Sequence, residues 1–323
     1  MLSVNEKAYE LVQELCASSA DYGVSVEKTR QGTTIIDAGA KAKGGFDAGR
    51  AITEICMGGL GKTRISSRDY GEFQLPTILV STDHPALATL GSQFAGWQIK
   101  VGDFFAIGSG PARALAMKPR DLFDEIKYSD RADVAVLVME TSTKPSEELT
   151  VELSRECNVL PSQLYIILVP TTSVAGAVQV SGRIVETGLH KLSKLGINPL
   201  SVETAWGCAP IAPVHPKFQV AMGRTNDVIL YGGIAYYSLR HEDDEKLRTL
   251  LKKAPSSASR QYGKPFKEIF KEAGHDFYKI DPNLFAPAVF VVNNVVSGSV
   301  FQAGEVNVGV LARSLGLELL SRD

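Results

Sequence analysis

An α+β fold in two domains is what this sequence predicts, and three observations carry that expectation. Short apolar runs of strand type alternate with amphipathic helical stretches through the middle of the chain. Strand-rich segments, with Gly, Asn and Ser near their turns, flank that middle part on both sides. A length of 323 residues also suits two hydrophobic cores better than one. The expected layout is a middle sheet-and-helix domain over 76–195, enclosed by a composite strand-rich domain of 1–75 and 196–323, with a ligand cleft between them.

The elements follow in order. Ser3-Val4-Asn5-Glu6 is a capping box with Leu2 as its staple, and Ala8, Leu11, Val12 and Leu15 form the apolar stripe of a first helix. Residues 24–37, VSVEKTRQGTTIID, alternate as a hairpin turning at Gln31-Gly32. Asp47 is a suitable N-cap for a helix reaching Met57, with Ile52, Ile55 and Cys56 on one face and Gly58 as its C-terminal cap. Strands are expected at 77–81, 104–107, 134–139 and 164–169, and helices near 85–94, 111–118, 146–157 and 173–195. Residues 226–240 and 286–310 read as strand-rich, and the charged run HEDDEKLRTLLKK at 241–253 as the solvated surface of a helix.

Composition narrows the function classes. Hydrophobic residues make up 44% and charged residues 22%, and the net charge of −2 gives no electrostatic case for nucleic acid or an acidic membrane. Cys16, Cys56, Cys157 and Cys208 are scattered, which opposes a disulfide framework and a Cys-rich zinc site. The apolar runs, such as 132–139 and 285–292, are far short of a bilayer span, and the N-terminus does not pair a basic with an apolar region. A soluble cytoplasmic protein is expected.

Two glycine-rich turns invite a nucleotide. EICMGGLGKT, residues 54–63, closes on Gly61-Lys62-Thr63, but the phosphate cradle requires a Gly where Cys56 stands. The order of elements is also reversed, since a helix precedes these glycines and a strand-like run follows. In FFAIGSGPARALA, residues 104–116, the order is right: strand, Gly108-Ser109-Gly110, then Pro111 opening a helix. Free N–H groups there, with Arg113, could bind a phosphate or carboxylate, although the dinucleotide fingerprint fails because its third small residue falls on Arg113. A tight strand–helix turn explains the same residues equally well. The five histidines are isolated, without metal-ligand spacing, and no Gly-x-Ser-x-Gly elbow occurs.

The best constellation lies in SVAGAVQVSGRIVETGLHKLSKLG, residues 173–196. As one helix it places Val174, Val178, Val185, Leu189 and Leu192 on one side and Gln179, Arg183, Glu186, His190 and Lys194 on the other. Arg183 and Glu186, three apart, can touch. A surface helix with an exposed ion pair is one explanation. Against it, Gly176, Gly182 and Gly188 each cost a helix about 1 kcal/mol relative to Ala, which suggests close packing or ligand approach. A carboxylate held by a guanidinium also suits a base acting on water.

Together, DAGRAITEICMGGLGKTRI, AIGSGPARALA, VQVSGRIVETGLHKL, ETAWGCAPIAPVHP and NDVILYGG resemble the methenyltetrahydromethanopterin cyclohydrolase family along essentially the whole chain. The resemblance implies reversible hydrolysis of a cyclic methenyl cation to a formyl group on a pterin carrier. It implies no metal and no nucleotide, two α+β domains with a pocket between them, and a homotrimer. The family's catalytic Arg and Glu fall on Arg183 and Glu186. The pterin substrate is then expected to meet Gly108, Ser109, Gly110 and Arg113. Trp206, in a stiff loop at 203–216, could wall a flat ring, and Asn293, Asn294, Ser297 and Ser299 could bond its polar edges or satisfy turns. The competing expectation is a non-catalytic nucleotide- or phosphate-binding protein using the turns at 58–63 and 108–113.

Overall fold

The computed structural model describes residues 2–71 and 73–318. The chain divides into two compact units, Met1–Thr63 with Thr82–Gln179, and Arg64–Ser81 with Val180–Asp323. Each holds one six-stranded mixed sheet with helices, an α+β architecture.

The first sheet contains β1 (Ser25–Lys28), β2 (Thr34–Asp37), β5 (Trp97–Val101), β6 (Phe104–Ser109), β7 (Ala135–Glu140) and β8 (Leu164–Leu168), in the order β1-β2-β8-β7-β6-β5. The second contains β3 (Lys62–Asp69), β4 (Gln74–Thr82), β9 (Val202–Pro210), β10 (Ile234–Leu239), β11 (Val289–Asn294) and β12 (Val300–Gly304), in the order β12-β11-β10-β9-β4-β3.

In the first unit β2, β8 and β7 run parallel at the centre, with Ile36 opposite Ile167 and Val138 opposite Ile167 on the other side. Their side chains alternate between two cores. Ile36, Val136, Val138 and Ile167 pack with the helices Val4–Ala17 and Phe46–Cys56. Ile35, Leu137, Met139, Ile166 and Leu168 pack with Leu149 and Leu153 of the helix Glu147–Glu156. Burial on both faces is why these strands read as unbroken apolar runs. The hairpin expected at 24–37 forms, but β1 is exposed throughout while β2 is pulled in beside β8. That pairing assigns the N-terminal residues to the unit of the middle segment, whereas the sequence pattern had grouped 1–75 with 196–323.

Local chemistry explains the helix ends. Ser3 caps the first helix, its hydroxyl accepting from the Glu6 N–H at 3.1 Å. Asp47 is not the cap of its helix; Gly45 holds that position and Asp47 lies in the first turn. Gly58 ends the helix in the left-handed region at φ 67°, and strand β3 follows from Lys62. The segment 86–93 is helical as expected but wound as a π-helix.

In the second unit β10 pairs parallel with β11 and antiparallel with β9, and Ala235, Tyr237 and Leu239 all face inward. The start of the 226–240 segment is not strand. Phe218–Gly232 is a helix whose Asp227–Gly232 stretch is buried, packed against β9 and the helices Phe266–Glu272 and Val308–Leu315. Burial on several sides removes the polar face that marks a helix in sequence. The charged run does form a helix, Asp244–Leu251, with only Leu247 and Leu251 buried. No helix among the described residues is long and apolar enough to cross a membrane.

Candidate active site

Strand β8 leads through Pro170–Ser173 into two successive helices, Val174–Ser181 and Ile184–Lys194, not the single helix the pattern suggested. The Ser173 hydroxyl accepts from the Gly176 N–H at 3.0 Å and so caps the first. Gly176 is required there, because a Cβ would stand 2.0 Å from the Pro170 carbonyl oxygen. The chain breaks at Gly182-Arg183, and Arg183 becomes the N-cap residue of the second helix.

That break decides the electrostatics of the pair. Glu186 sits in the first turn of the helix Ile184–Lys194, where free N–H groups and the helix dipole stabilise a negative charge. The Arg183 guanidinium adds to this, with Nη1 3.8 Å from Glu186 Oε2. Both are buried: the side chains expose only 10% and 8% of their surface. An exposed helix-surface ion pair, the simpler of the two sequence explanations, is therefore not what the chain builds. Two side chains of opposite charge held out of water are costly to retain without a purpose.

The helix is seated by close contacts to the sheet. The Tyr237 hydroxyl of β10 donates to the Val185 carbonyl at 2.8 Å, and burial, reinforced by the Glu186 charge, keeps that phenol protonated. Gly188 makes room for the ring, since a Cβ there would lie 2.1 Å from the hydroxyl oxygen. Ile184 likewise packs where a Cβ on Gly207 or Gly233 would fall. Further along, the buried Lys191 donates from Nζ to Asn283 Oδ1 at 2.7 Å, while Lys194 reaches solvent. Tyr237 went unmarked in the sequence, although the inward alternation of IAYYSL and a helical glycine are together a signal that an aromatic ring needs space.

Trp206 lies on β9 rather than in a loop, opposite Tyr236 of β10 and 37% exposed. Three prolines and a glycine in 203–216 suggested irregular backbone, but Val202–Pro210 is a continuous strand and only the segment after it is irregular.

Other candidates have structural partners. Arg113 is fully buried; its Nε donates to the Lys118 carbonyl at 2.8 Å and its Nη1 to those of Leu90 at 3.2 Å and Ser92 at 3.0 Å. Its guanidinium lies over the rings of Phe94 and Phe123. Arg113 is thus an interior strut and not a surface ligand for an anion. The neighbouring turn is equally internal: Ser109 Oγ lies 3.3 Å from Cys56 Sγ, and Gly110 N–H donates to the Ser92 carbonyl at 2.9 Å. Gly108 is buried with them, so the expected substrate contact of Gly108, Ser109 and Gly110 gives way to a tight strand–helix turn.

Asn294 is a turn clamp, not an open pterin contact. Its Nδ2 donates at 2.7 Å to both the His241 carbonyl and Asp244 Oδ1, and its Oδ1 accepts from the His241 N–H at 3.1 Å. Asp244 also accepts from Ser297 and Ser299, and Asn293 Nδ2 reaches the Ser299 carbonyl at 3.4 Å. These side chains satisfy the turn after β11, the second of the two roles the sequence allowed.

The nucleotide alternative fares no better. Lys62 is 77% exposed, with Nζ 3.6 Å from Glu54 Oε2, and Glu54 also accepts from Thr63 N–H at 2.9 Å and Arg50 at 3.1 Å. This is a helix-to-strand junction tied by a carboxylate, and the N–H groups of Gly58, Gly59 and Thr63 are already donated to Ile55 and Glu54 rather than free for a phosphate. Among the described residues no three His, Cys, Asp or Glu side chains form a metal-ligand group.

Residues 3–315 match the family described as Cyclohydrolase (MCH). The chain is 47% identical over 320 residues to methenyltetrahydromethanopterin cyclohydrolase of Methanothermobacter marburgensis, covering 98% of this chain and 100% of that one. The proteins of the same name from Methanocaldococcus jannaschii and Methanococcoides burtonii are 46% and 43% identical, each match covering 98% of this chain and 99% of theirs. With a buried Arg–Glu pair at a helix start and a match from end to end, this chain belongs to the cyclohydrolase (MCH) family.

Proposed function

We propose that this protein hydrolyses the cyclic methenyl cation of tetrahydromethanopterin to the formyl form, reversibly, with Glu186 as general base and Arg183 as its orienting partner. The observation that carries the reading is the buried Arg183–Glu186 contact at a helix N-terminus, which supports a charged carboxylate out of bulk water.

The methenyl carbon lies between two nitrogens that share a positive charge, so it is already electrophilic. Water attacks it while Glu186 accepts a proton, and the new C–O bond gives a neutral carbinolamine. One C–N bond then breaks, the departing nitrogen gains a proton and the hydroxyl loses one, leaving the formyl group. One proton is released for each cation hydrolysed. Arg183 holds Glu186 in place and donates to the oxygen as charge develops on it. Its own charge must lie to one side of the cationic carbon. Tyr237, fixed to Val185, keeps the first turn of the helix in register with the sheet. The chemistry needs neither a metal nor a nucleotide, and a homotrimer in the cytoplasm accompanies this reading.

The test is an absorbance assay of methenyl-tetrahydromethanopterin hydrolysis with chelator present throughout. Turnover unaffected by chelator is expected. Absence of turnover in every buffer sinks the assignment, and activity restored only by zinc sinks its metal-free chemistry. A monomer in sedimentation equilibrium at micromolar concentration removes the trimer.

A further inference from the structure

A second concave site lies in the same unit as Arg183 and Glu186 but is lined by neither of them. It is a cavity of about 360 Å³ where the helices Phe218–Gly232, Phe266–Glu272 and Val308–Leu315 meet. Arg224, Lys267, Lys271 and Arg313 line it, with Glu268 as its one carboxylate and Ser314 as a hydroxyl. Four cations against one anion leave a net charge of +3 on the lining. The protein as a whole carries −2, so the concentration runs against its overall balance.

The cations are not neutralised from within. None of the four has a carboxylate within ion-pair distance among the described residues. Arg224 donates from Nη1 to the Pro213 and Val214 carbonyls at 3.3 and 3.4 Å, which anchors the guanidinium. Its Nε is buried with no hydrogen-bond partner. Arg313 is anchored in the same manner, Nη2 donating to the Gly263 carbonyl at 3.2 Å. A buried donor left unsatisfied costs roughly 1–3 kcal/mol, so such groups normally have a partner. An anionic oxygen is a partner of the kind that a guanidinium N–H takes.

We propose that this cavity is a binding site for a compact phosphoryl anion, held by the anchored forks of Arg224 and Arg313 and by the point charges of Lys267 and Lys271. Guanidinium forks match the paired oxygens of a phosphoryl group, and a concave wall of like charge concentrates anions. A phosphate monoester carries about −1.5 to −2 at neutral pH, which fits a +3 lining better than a monocarboxylate does. The volume holds more than inorganic phosphate alone, since one water takes about 30 Å³ of liquid, so a small phosphorylated metabolite fits.

The test is calorimetric titration of the intact protein with inorganic phosphate, at an ionic strength held constant with potassium chloride. Saturable one-site binding is expected. Lys267→Gln combined with Lys271→Gln, both at exposed positions, should weaken it by about tenfold or more. Glu268→Gln should tighten it several-fold by removing the only opposing charge. Glu186→Gln should leave it unchanged, which keeps this site's fate separate from that of the hydrolase. Melting curves of each variant establish that it is folded. No saturable heat, an affinity indifferent to the double lysine replacement, or acetate binding as tightly as phosphate each overturns the proposal.

Discussion

The Tyr237 hydroxyl occupies the space where a side chain on Gly188 would begin, 2.1 Å from the Cβ that any other residue would carry. A bare backbone in mid-helix and a phenol on the facing strand are therefore one device. The phenol reaches the Val185 carbonyl only because residue 188 is glycine, and Val185 immediately precedes Glu186.

Gly188→Ala sets two effects against each other. Alanine gains about 1 kcal/mol in helix propensity. Overpacking against a fixed aromatic ring costs about 1–3 kcal/mol, and the Tyr237–Val185 hydrogen bond, worth roughly 1 kcal/mol, is broken as well. The clash should win, lowering the melting temperature and reducing kcat as Glu186 shifts. Tyr237→Phe, which keeps the ring but drops the bond, should show a milder version of both. A Gly188→Ala protein more stable than the parent would show that the contact is loose.

Glu186→Gln should separate binding from chemistry. The amide keeps the size of the carboxylate but cannot take a proton from water at neutral pH. Loss of a placed general base lowers kcat by about 10²–10⁴-fold, or roughly 3–5 kcal/mol in the barrier. KM should change far less. Arg183→Ala should also be damaging, and the two losses should not add, because the residues act together. Near-parental turnover of a folded Glu186→Gln protein would leave the family assignment standing and remove the mechanism.

Arg113→Met tests the strut. Removing the guanidinium deprives the Leu90, Ser92 and Lys118 carbonyls of a donor and strips a cation from between Phe94 and Phe123. A loss of several kcal/mol is expected, on the order of 3–5, seen as a large fall in melting temperature. Substrate KM of the folded fraction should hold. A raised KM with unchanged stability would return Arg113 to the substrate.

These contrasts show what the sequence could carry. The central strands β7 and β8 were legible because burial on both faces leaves unbroken apolar runs such as Ala135–Met139, whereas the half-exposed edge strand β5 was not marked. Ser3 was legible because a capping box is a local pattern of hydrogen bonds. The Phe218–Gly232 helix was obscured by burial on several sides, and the partnership of β2 with β8 is a pairing across more than a hundred residues that no local pattern records. The Arg183–Glu186 spacing was visible, but not the break at Gly182 that makes Arg183 a cap residue. Arg113 was misplaced for a related reason. A guanidinium donating to three carbonyls from two segments looks, in sequence, the same as one waiting for an anion.

Asp227 makes the stability of the fold depend on pH. Asp227 is completely buried; burial pushes its carboxyl up to about 7, even though Ser314 Oγ and the Phe266 N–H donate to it. The raised value fixes the sign. In the unfolded chain the group ionises near its ordinary value of 3.8, whereas in the folded protein it keeps its proton until about pH 7. Between those limits the folded state binds more protons, so Asp227 contributes stability at low pH that is lost as pH rises towards 7. The slope is about 1.4 kcal/mol per pH unit while the two states differ by a full proton. Asp227→Asn retains an acceptor for the Phe266 N–H and carries no ionisable proton. Denaturant unfolding between pH 4.5 and 7.5 should therefore show a shallower decline for the variant, with its relative stability greatest at the upper end. Parallel curves for the two proteins would mean that Asp227 is ionised throughout that range and that its hydrogen bonds outweigh its burial.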